Sequence, residues 1–259
     1  MTPSTTVHGR AVPAMVRPAD IAAMIDHSLL RPELTPDDVR TGCELATARG
    51  TISVCVKPAD VRLAAEALTG TSVRVGTVVG FPHGSSATAV KRYETERALG
   101  DGAVEIDMVV NVGALRGGDD DRVLADIREV VTVAHASRAL VKVILENAYL
   151  DDEQVARGSR LVEAAGADFV KTSTGFAPSG ATVHDLRIMA ASTSPSVGLK
   201  AAGGVRTLDR LLDLVAIGVT RFGATATAAI LDDATMRAAT TGSIPVPPAP
   251  KDDPESGGY

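Results

Sequence analysis

Eight short runs of apolar and β-branched residues recur along the chain, separated by longer segments in which apolar residues follow a helical period. The runs are mostly continuous rather than alternating, as expected of parallel strands that are buried on both faces. They cover residues 24–30, 51–56, 73–80, 104–110, 140–145, 168–172, 197–201 and 220–224. We therefore predict eight buried parallel strands.

The segments between these runs carry signals of helix starts and ends. Thr35 precedes Pro36 and two aspartates, which predicts an N-cap, a proline in the first turn and favourable acidic residues there. Asp151 and Gln154 have the spacing of a capping box. Further N-caps are predicted at Thr182 and Thr207, a core-facing helical stripe over 123–134, and helix ends at Gly50, Gly70, Gly100 and Gly166.

Strands that alternate with helices predict the α/β class and, with eight of each, a single (β/α)8 TIM barrel. An open doubly wound sheet is the alternative, because the first strand signal is weak. The predicted barrel domain covers residues 18–240, preceded by an extension over 1–17 and followed by a flexible proline-rich tail over 241–259. Active sites of such barrels lie at the carboxyl ends of the strands, so candidate chemistry is sought there.

Composition narrows the classes of partner. The 259 residues include 26 Lys+Arg and 32 Asp+Glu, giving a formal net charge of −6, and 3% are aromatic. A chain with neither a basic field nor many stacking rings is not expected to bind nucleic acid, although a small anionic ligand needs only local donors. No segment has the pattern of a signal peptide or membrane span, and two cysteines suit a reducing compartment. We expect a cytoplasmic protein.

Three charged residues interrupt the apolar runs at informative places. Lys171 and Lys200 each lie one residue before the end of a run and precede a glycine-containing loop, and Asp107 lies inside the run 104–110. Lysine is rarely buried without a partner, so both lysines need a reason. For Lys171 and Lys200 together we favour a role in function. The alternative interpretation is a structural layer of ion pairs in the barrel centre, which we favour for Lys142 because it lies near the beginning of its run.

A lysine nucleophile has a quantitative basis. An ordinary lysine has a pKa of about 10.4, so about one in 2500 is the free amine at pH 7. A second ammonium about 5 Å away disfavours the charged form by roughly 3 kcal/mol at an effective dielectric of about 20, which equals about two pKa units. Two lysines and a carboxylate that moves protons would therefore suffice for an imine-forming lyase.

Metal and nucleotide chemistry find little support in the sequence. None of the five histidines pairs with another at a spacing of three or four residues, and no glycine-rich nucleotide motif follows an early strand. We therefore expect neither a metal nor a cofactor. His27 lies at the end of a short run, where a hydrogen-bonded structural role is the more common one.

Glycine-containing loops follow three of the late strands, at 172–175, 203–206 and 223–225. Glycine lets main-chain N–H groups approach an anion, and phosphate sites of TIM barrels recur after the seventh and eighth strands. Each glycine could instead serve only a tight turn, but three such loops at one end of the barrel favour a phosphate site.

Several stretches of the chain resemble the deoxyribose-phosphate aldolase family. The resemblance rests on the sequences IDHSLLRPELT, SVCVKPADV, VGFPHGSSATAVKRYETERALGDGAVEIDMVVNVGAL, FVKTSTGF, GLKAAGGVRT and RFGAT, which extend through almost the whole core. It implies a class I aldolase that reversibly cleaves 2-deoxy-D-ribose 5-phosphate into acetaldehyde and D-glyceraldehyde 3-phosphate, in deoxyribose phosphate catabolism.

The resemblance also implies residue roles. Lys171 would form the Schiff base, with Asp107 and Lys200 as the proton donor and acceptor pair. Asp26 and Ser28 would orient the second lysine and a substrate hydroxyl. The remaining substrate contacts implied by the resemblance and the glycine loops are Cys55, Thr174, Gly175, Gly203, Gly204, Val205 and Thr225.

The sequence departs from the family pattern at three places. Phe176 stands where some members carry lysine, and Ala226 follows Thr225 where a serine pair is usual, so main-chain groups near Arg206 would bind more of the phosphate. Tyr259 ends the chain, where some members have a tyrosine that reaches the active site.

Three alternatives stay open at this point. One is an imine-forming aldolase for another phosphosugar, the second is a noncatalytic sugar-phosphate-binding barrel, and the third is an isomerase or epimerase. For assembly we expect a homo-oligomer, with a dimer as the favoured state.

Overall fold

Eight parallel strands close into a barrel in the computed structural model, which describes residues 4–252. The barrel strands are β4 Ile25–Leu29, β5 Ser53–Val56, β6 Arg74–Val79, β7 Glu105–Val109, β8 Leu140–Ile144, β9 Phe169–Lys171, β10 Gly198–Ala202 and β11 Arg221–Ala224. They follow one another in chain order around the ring, and β11 pairs with β4. The closed ring confirms the predicted barrel and excludes the open sheet.

Helices connect the strands and cover the barrel. Within residues 4–252 they are α1 Pro18–Ala22, α2 Pro36–Arg49, α3 Val61–Ala67, α4 Thr88–Gly100, α5 Val112–Arg116, α6 Asp120–Ala136, α7 Asp152–Ala164, α8 Val183–Ser192, α9 Leu208–Val215 and α10 Thr227–Ala238, with 3-10 turns at Pro58–Asp60 and Asn147–Tyr149. None of these helices is long and apolar enough to cross a lipid bilayer.

The predicted caps are present. Thr35 and Asp38 form a capping box at the start of α2, and Asp151 and Gln154 form another at α7. Helix α6 buries the predicted stripe against the barrel, because Val123, Ile127, Val130, Val131 and Ala134 all lie on its inner face. One continuous apolar core joins these helix faces to the strands. The charged side chains of the strands meet on the other side of the sheet, inside the barrel.

The N-terminal extension is structured where it is described. Strands β1 Ser4–Val7 and β2 Arg10–Pro13 form an antiparallel hairpin. The buried Arg10 side chain fastens this hairpin to the segment before β10, because it donates to the Val197 carbonyl at 2.5 Å and to Thr193 Oγ1 at 2.8 Å.

The first residues of the predicted tail are also attached to the barrel. Strand β12 Ile244–Pro245 pairs with β3 Met15–Val16, and Arg187 of α8 binds the Asp252 carboxylate at 2.5 Å. The proline content suggested flexibility, but an alternating apolar pattern buries Ile244 and allows this short pairing. Tyr259 lies outside the described residues.

A buried ion pair joins two neighbouring helices. Lys91 of α4 is fully buried, and its Nζ lies 2.5 Å from Asp126 Oδ2 on α6 and 2.8 Å from the Val109 carbonyl of β7. Thr88 donates to the other Asp126 oxygen at 2.8 Å. Because every charge has a partner, the pair tolerates burial, but removal of one member leaves the other uncompensated.

We predict that Asp126→Ala lowers the free energy of unfolding by about 3–5 kcal/mol, because it leaves the Lys91 ammonium buried without its carboxylate. Urea unfolding followed by circular dichroism measures the change. The matched control is Lys91→Met combined with Asp126→Leu, which removes both charges and should recover most of the loss. A single variant as stable as the parent chain would contradict the role given to this pair.

Candidate functional site

A cavity opens at the carboxyl ends of the barrel strands, where active sites of this fold lie. Its floor is formed by strand residues and its rim by the loops after β9, β10 and β11. The lining residues are Asp26, Ser28, Leu30, Arg31, Cys55, Lys171, Thr174, Gly175, Phe176, Lys200, Ala202, Gly203, Gly204, Val205, Arg206, Gly223, Ala224 and Thr225. Every residue predicted for the site except Asp107 lines this cavity, and Asp107 contacts Lys171 and Lys200 of the lining.

Strand register brings the charged residues together. Lys171 of β9 is paired with Lys200 of β10, and Lys200 is paired with Arg221 of β11. Asp107 of β7 is likewise paired with Lys142 of β8. Paired positions on neighbouring parallel strands point to the same face, so these side chains form one layer inside the barrel.

The Asp107 carboxylate is the centre of this layer. Its Oδ2 lies 2.6 Å from Lys171 Nζ and 2.6 Å from Lys200 Nζ, so one oxygen bridges the two amines. Its Oδ1 accepts from Lys142 at 2.8 Å. A fully buried carboxylate thus has a cationic partner on each oxygen, and the two candidate lysines share one of them.

Two further carboxylates complete the layer. Asp26 accepts from Lys200, from Ser53 at 2.7 Å and from Arg221, whose Nη2 lies 2.5 Å away. Glu105 accepts from the same Arg221 nitrogen at 2.5 Å and lies 2.7 Å from Lys142. The structural ion-pair layer predicted for Lys142 is therefore confirmed. It is continuous with the candidate site rather than an alternative to it.

The surroundings favour the free amine of Lys171. Burial lowers the pKa of the Lys171 ammonium below its ordinary value, and the nearby Lys200 charge lowers it further. The Asp107 carboxylate opposes both effects, but the net direction is downward. Lys171 therefore loses its proton more readily than an exposed lysine does.

Lys200 and Asp107 keep their charges. Burial alone would lower the pKa of Lys200, but Asp107 and Asp26 together raise it above its ordinary value. Burial would likewise raise the pKa of Asp107, yet Lys142, Lys171 and Lys200 hold it well below its ordinary value. The site therefore contains an amine, a carboxylate and an ammonium within hydrogen-bonding distance, which is what imine formation with proton transfer requires.

The loops after β9 and β10 approach each other at the rim. The Ala181 amide donates to the Gly203 carbonyl at 3.0 Å, and a Cβ at Gly180 would lie 2.4 Å from that carbonyl oxygen. Only glycine permits this approach. Gly203 and Gly204 both have φ near +80°, at 80° and 82°, so the rim backbone turns in a way that favours glycine.

The loop after β9 is held from behind by a residue that the sequence analysis missed. Thr174 directs both its amide and its hydroxyl to the buried Glu146 carboxylate, with the amide 3.1 Å from Oε1. The Phe176 amide then donates to Thr174 Oγ1 at 3.0 Å. The polar groups of Thr174 therefore shape the loop, and Gly175 is left between two fixed amides.

Two further predicted positions behave as neutral groups. Burial raises the pKa of the Cys55 thiol to about 11, so the thiol stays protonated beside the cavity. His27 has a hydrogen bond of 2.9 Å between its Nδ1 and Thr227 Oγ1, and burial lowers its pKa to about 4. The structural role predicted for His27 agrees with this contact.

Metal ligands are not grouped in the described part of the chain. Across residues 4–252, no set of three or more His, Cys, Asp or Glu side chains has an arrangement that could hold a metal ion. The carboxylates in the barrel centre are instead neutralised by lysine and arginine.

Arg221 and Glu146 could have been identified from the sequence as candidate site residues. Arg221 lies inside the predicted run 220–224, and Glu146 directly follows the run 140–145. Both are charges within or at the carboxyl end of a buried strand, the same anomaly that drew attention to Lys171. Their partners, however, come from strands far away in the sequence.

The closed barrel and the lysine–carboxylate cluster at its carboxyl end are typical of aldolases that react through a lysine. A family model described as DeoC/LacD family aldolase matches residues 21–232. The chain belongs to this aldolase family.

Individual relatives agree with the family match. A deoxyribose-phosphate aldolase of Bacillus cereus is 50% identical over 216 residues, covering 83% of this chain and 96% of the relative. A candidate deoxyribose-phosphate aldolase structure from Coccidioides immitis superposes with a TM-score of 0.82 at 35% identity, covering 88% and 89% of the two chains. A tetrameric deoxyribose phosphate aldolase from Aeropyrum pernix gives 0.77 at 28% identity, covering 86% and 93%.

We predict that Cys55 in the folded protein reacts slowly with iodoacetamide at pH 8. A pKa of about 11 leaves only about one thiol in a thousand as the reactive thiolate at that pH. Mass spectrometry of a Cys43→Ala variant isolates the labelling of Cys55, and the urea-unfolded variant is the control. Labelling should accelerate as the pH rises from 8 to 10, whereas equally rapid labelling of folded and unfolded protein at pH 8 would contradict the shift.

Proposed function

We propose that this chain reversibly cleaves 2-deoxy-D-ribose 5-phosphate to acetaldehyde and D-glyceraldehyde 3-phosphate through a Schiff base on Lys171. The observation that carries the proposal is the single Asp107 oxygen 2.6 Å from both Lys171 and Lys200. The names of the relatives support the choice of substrate, and the reaction would serve deoxyribose phosphate catabolism. No cofactor takes part.

The first half of the reaction forms the imine. The Lys171 amine attacks the substrate aldehyde at C1 and gives a carbinolamine. Asp107 and Lys200 transfer the protons that let the carbinolamine lose water and become an iminium ion. The lowered pKa of Lys171 supports its role as the attacking amine, and the raised pKa of Lys200 supports its role as a proton donor.

The second half breaks the carbon chain. Removal of the proton from the C3 hydroxyl breaks the C2–C3 bond and releases glyceraldehyde 3-phosphate, while the electron pair moves into an enamine on Lys171. Protonation of the enamine at C2 and hydrolysis of the resulting iminium release acetaldehyde and restore the amine. Asp107 and Lys200 are the groups in reach for these proton transfers.

Substrate binding would use the floor and the rim of the cavity. Asp26 would hold Lys200 in position, because its Oδ2 accepts a hydrogen bond from Lys200 while its Oδ1 accepts from Ser53 and Arg221. Ser28 would bind a substrate hydroxyl. Cys55 would add a neutral wall. Thr174 would act through the shape of its loop.

The phosphate would lie on the rim loops. The donors we propose are main-chain groups of Gly175, Gly203, Gly204 and Val205, with the Thr225 hydroxyl beside them. Arg206 also lines the cavity and supplies positive charge. These groups would compensate for Phe176 and Ala226, which offer neither a cation nor a hydroxyl.

We predict that Lys171→Leu abolishes acetaldehyde release from deoxyribose 5-phosphate, because Lys200, the other amine that lines the cavity, is held in its protonated form by Asp107 and Asp26. The assay couples acetaldehyde to NADH oxidation, with and without EDTA, and EDTA should have no effect. Borohydride with substrate should trap an adduct at Lys171, and the exposed Lys251→Leu variant is the matched control. Normal turnover by Lys171→Leu, or binding without any adduct in the parent chain, would overturn the mechanism.

We also propose that the protein is a cytoplasmic homo-oligomer, with a dimer as the favoured state. Two observations support this. The first supports the cytoplasmic location: both cysteines are buried free thiols. The second supports association: helix α4 exposes Val90 and Tyr93, which are 54% and 63% accessible, on its outer face. Large apolar side chains exposed side by side are typical of surfaces that associate.

Multi-angle light scattering after gel filtration should give at least twice the chain mass of 26.6 kDa. Tyr93→Lys should lower the measured mass if α4 lies in the interface, whereas Tyr149→Lys, on another exposed aromatic residue, is the matched control. A monomer for the parent chain at micromolar concentration would contradict the proposal.

A further inference from the structure

Glu146 is a buried carboxylate that the reaction steps above do not use. It follows strand β8 and is only 3% exposed. Its backbone has φ of 58°, in the left-handed region that a non-glycine residue adopts at a cost. A buried acid in such a backbone conformation requires surroundings that hold it there.

The side-chain hydrogen bonds of Glu146 all lead to one loop. The Thr174 amide lies 3.1 Å from Oε1 and 3.3 Å from Oε2, and the Thr174 hydroxyl donates to Oε2. The Phe176 amide continues the chain by donating to Thr174 Oγ1. In the described part of the molecule Glu146 has no ion-pair partner, and burial raises the pKa of its carboxyl group.

The loop needs support because it separates two cavities. Thr174 and Phe176 line the cavity above Lys171, and they also line a second cavity on the other side, together with Glu146, His83 and Arg116. A segment with a cavity on each side has fewer packed neighbours to fix it. The Glu146 hydrogen bonds and an edge-to-face contact between Phe176 and Phe81, with ring centroids 5.3 Å apart, anchor the loop to the rest of residues 4–252.

This arrangement also selects which amide faces the ligand. The amides of Thr174 and Phe176 are directed to groups within the protein. Gly175 lies between them with φ of 90°, lines the cavity above Lys171, and forms no amide hydrogen bond within residues 4–252. By holding Thr174, which in turn accepts from the Phe176 amide, Glu146 leaves the Gly175 amide free to donate to an anion in this cavity.

We propose that Glu146 is a positioning residue that holds the 173–176 loop in its phosphate-binding conformation and thereby sets the affinity for phosphorylated substrates. The proposal rests on the proposed function. Glu146 acts through the loop and touches neither the substrate nor the reacting amine. Its loss should therefore weaken recognition of the phosphate and leave the carbon–carbon bond chemistry intact.

The test compares two substrates. Glu146→Ala should raise KM for deoxyribose 5-phosphate about tenfold or more, because two hydrogen bonds to a charged acceptor are lost, with kcat changed by less than about threefold. Its kcat/KM for unphosphorylated 2-deoxyribose should stay within about threefold of the parent value. Glu146→Gln keeps an oxygen acceptor and should restore KM to within about threefold of the parent value.

Thr174→Val is the second variant and removes the hydroxyl from the other side of the contact. It should raise KM for the phosphorylated substrate by a larger factor than it lowers kcat/KM for unphosphorylated 2-deoxyribose, and the double variant with Glu146→Ala should be no worse than the more affected single variant, because the two residues act as one unit. Thr174→Val provides the same comparison if Glu146→Ala does not fold, as judged by circular dichroism.

The outcomes separate this proposal from the proposed function. Equal losses for both substrates in both variants would mean a general structural role and would overturn the positioning role. An unchanged KM for the phosphorylated substrate would also overturn it while leaving the aldolase reaction in place. Absence of acetaldehyde release by the parent chain would overturn the proposed function, and this proposal with it.

Discussion

The fully buried Asp107 carboxylate, shared by Lys142, Lys171 and Lys200, is the interaction on which the rest of the site depends. Charges inside a protein need partners, and removing one member of such a cluster leaves the others uncompensated. The layer contains three carboxylates and four basic side chains, namely Asp26, Glu105, Asp107, Lys142, Lys171, Lys200 and Arg221. With Lys171 neutral, the three other buried cations balance the three carboxylates, and the half-exposed Arg74 adds a further positive charge 3.4 Å from Glu105, so a charge on Lys171 is disfavoured.

The barrel supplies this layer through its register and supplies the rim through its loops. Lys171 and Lys200 reach the same carboxylate because they are paired on neighbouring strands. The loops that follow these strands form the rim, where Gly180 lets one loop touch the other. The two lysines below and the backbone donors above therefore come from the same two strands and the loops that follow them. The fold thus places an amine under a site suited to an anion.

Much of the fold could be predicted from the sequence because its signals are local. Continuous apolar runs marked all eight strands, and charges at the ends of two runs marked Lys171 and Lys200. What the sequence could not reveal was pairing between distant segments, such as Arg221 with Asp26 and Glu105, or Thr174 with Glu146. The attachment of the tail was missed for the same reason, because β12 pairs with β3 from the opposite end of the chain.

Direct titration of the lysines tests the assignment of Lys171 as the neutral amine of the layer. The chain has only six lysines, at 57, 91, 142, 171, 200 and 251, so NMR of protein labelled with ¹³C at lysine Cε gives few signals, which single Lys→Leu variants assign. The Lys171 signal should titrate with a midpoint clearly below about 10.4, and Lys200 should stay protonated to higher pH. A Lys171 midpoint at or above the ordinary value, or loss of the Lys200 proton first, would contradict the assignment.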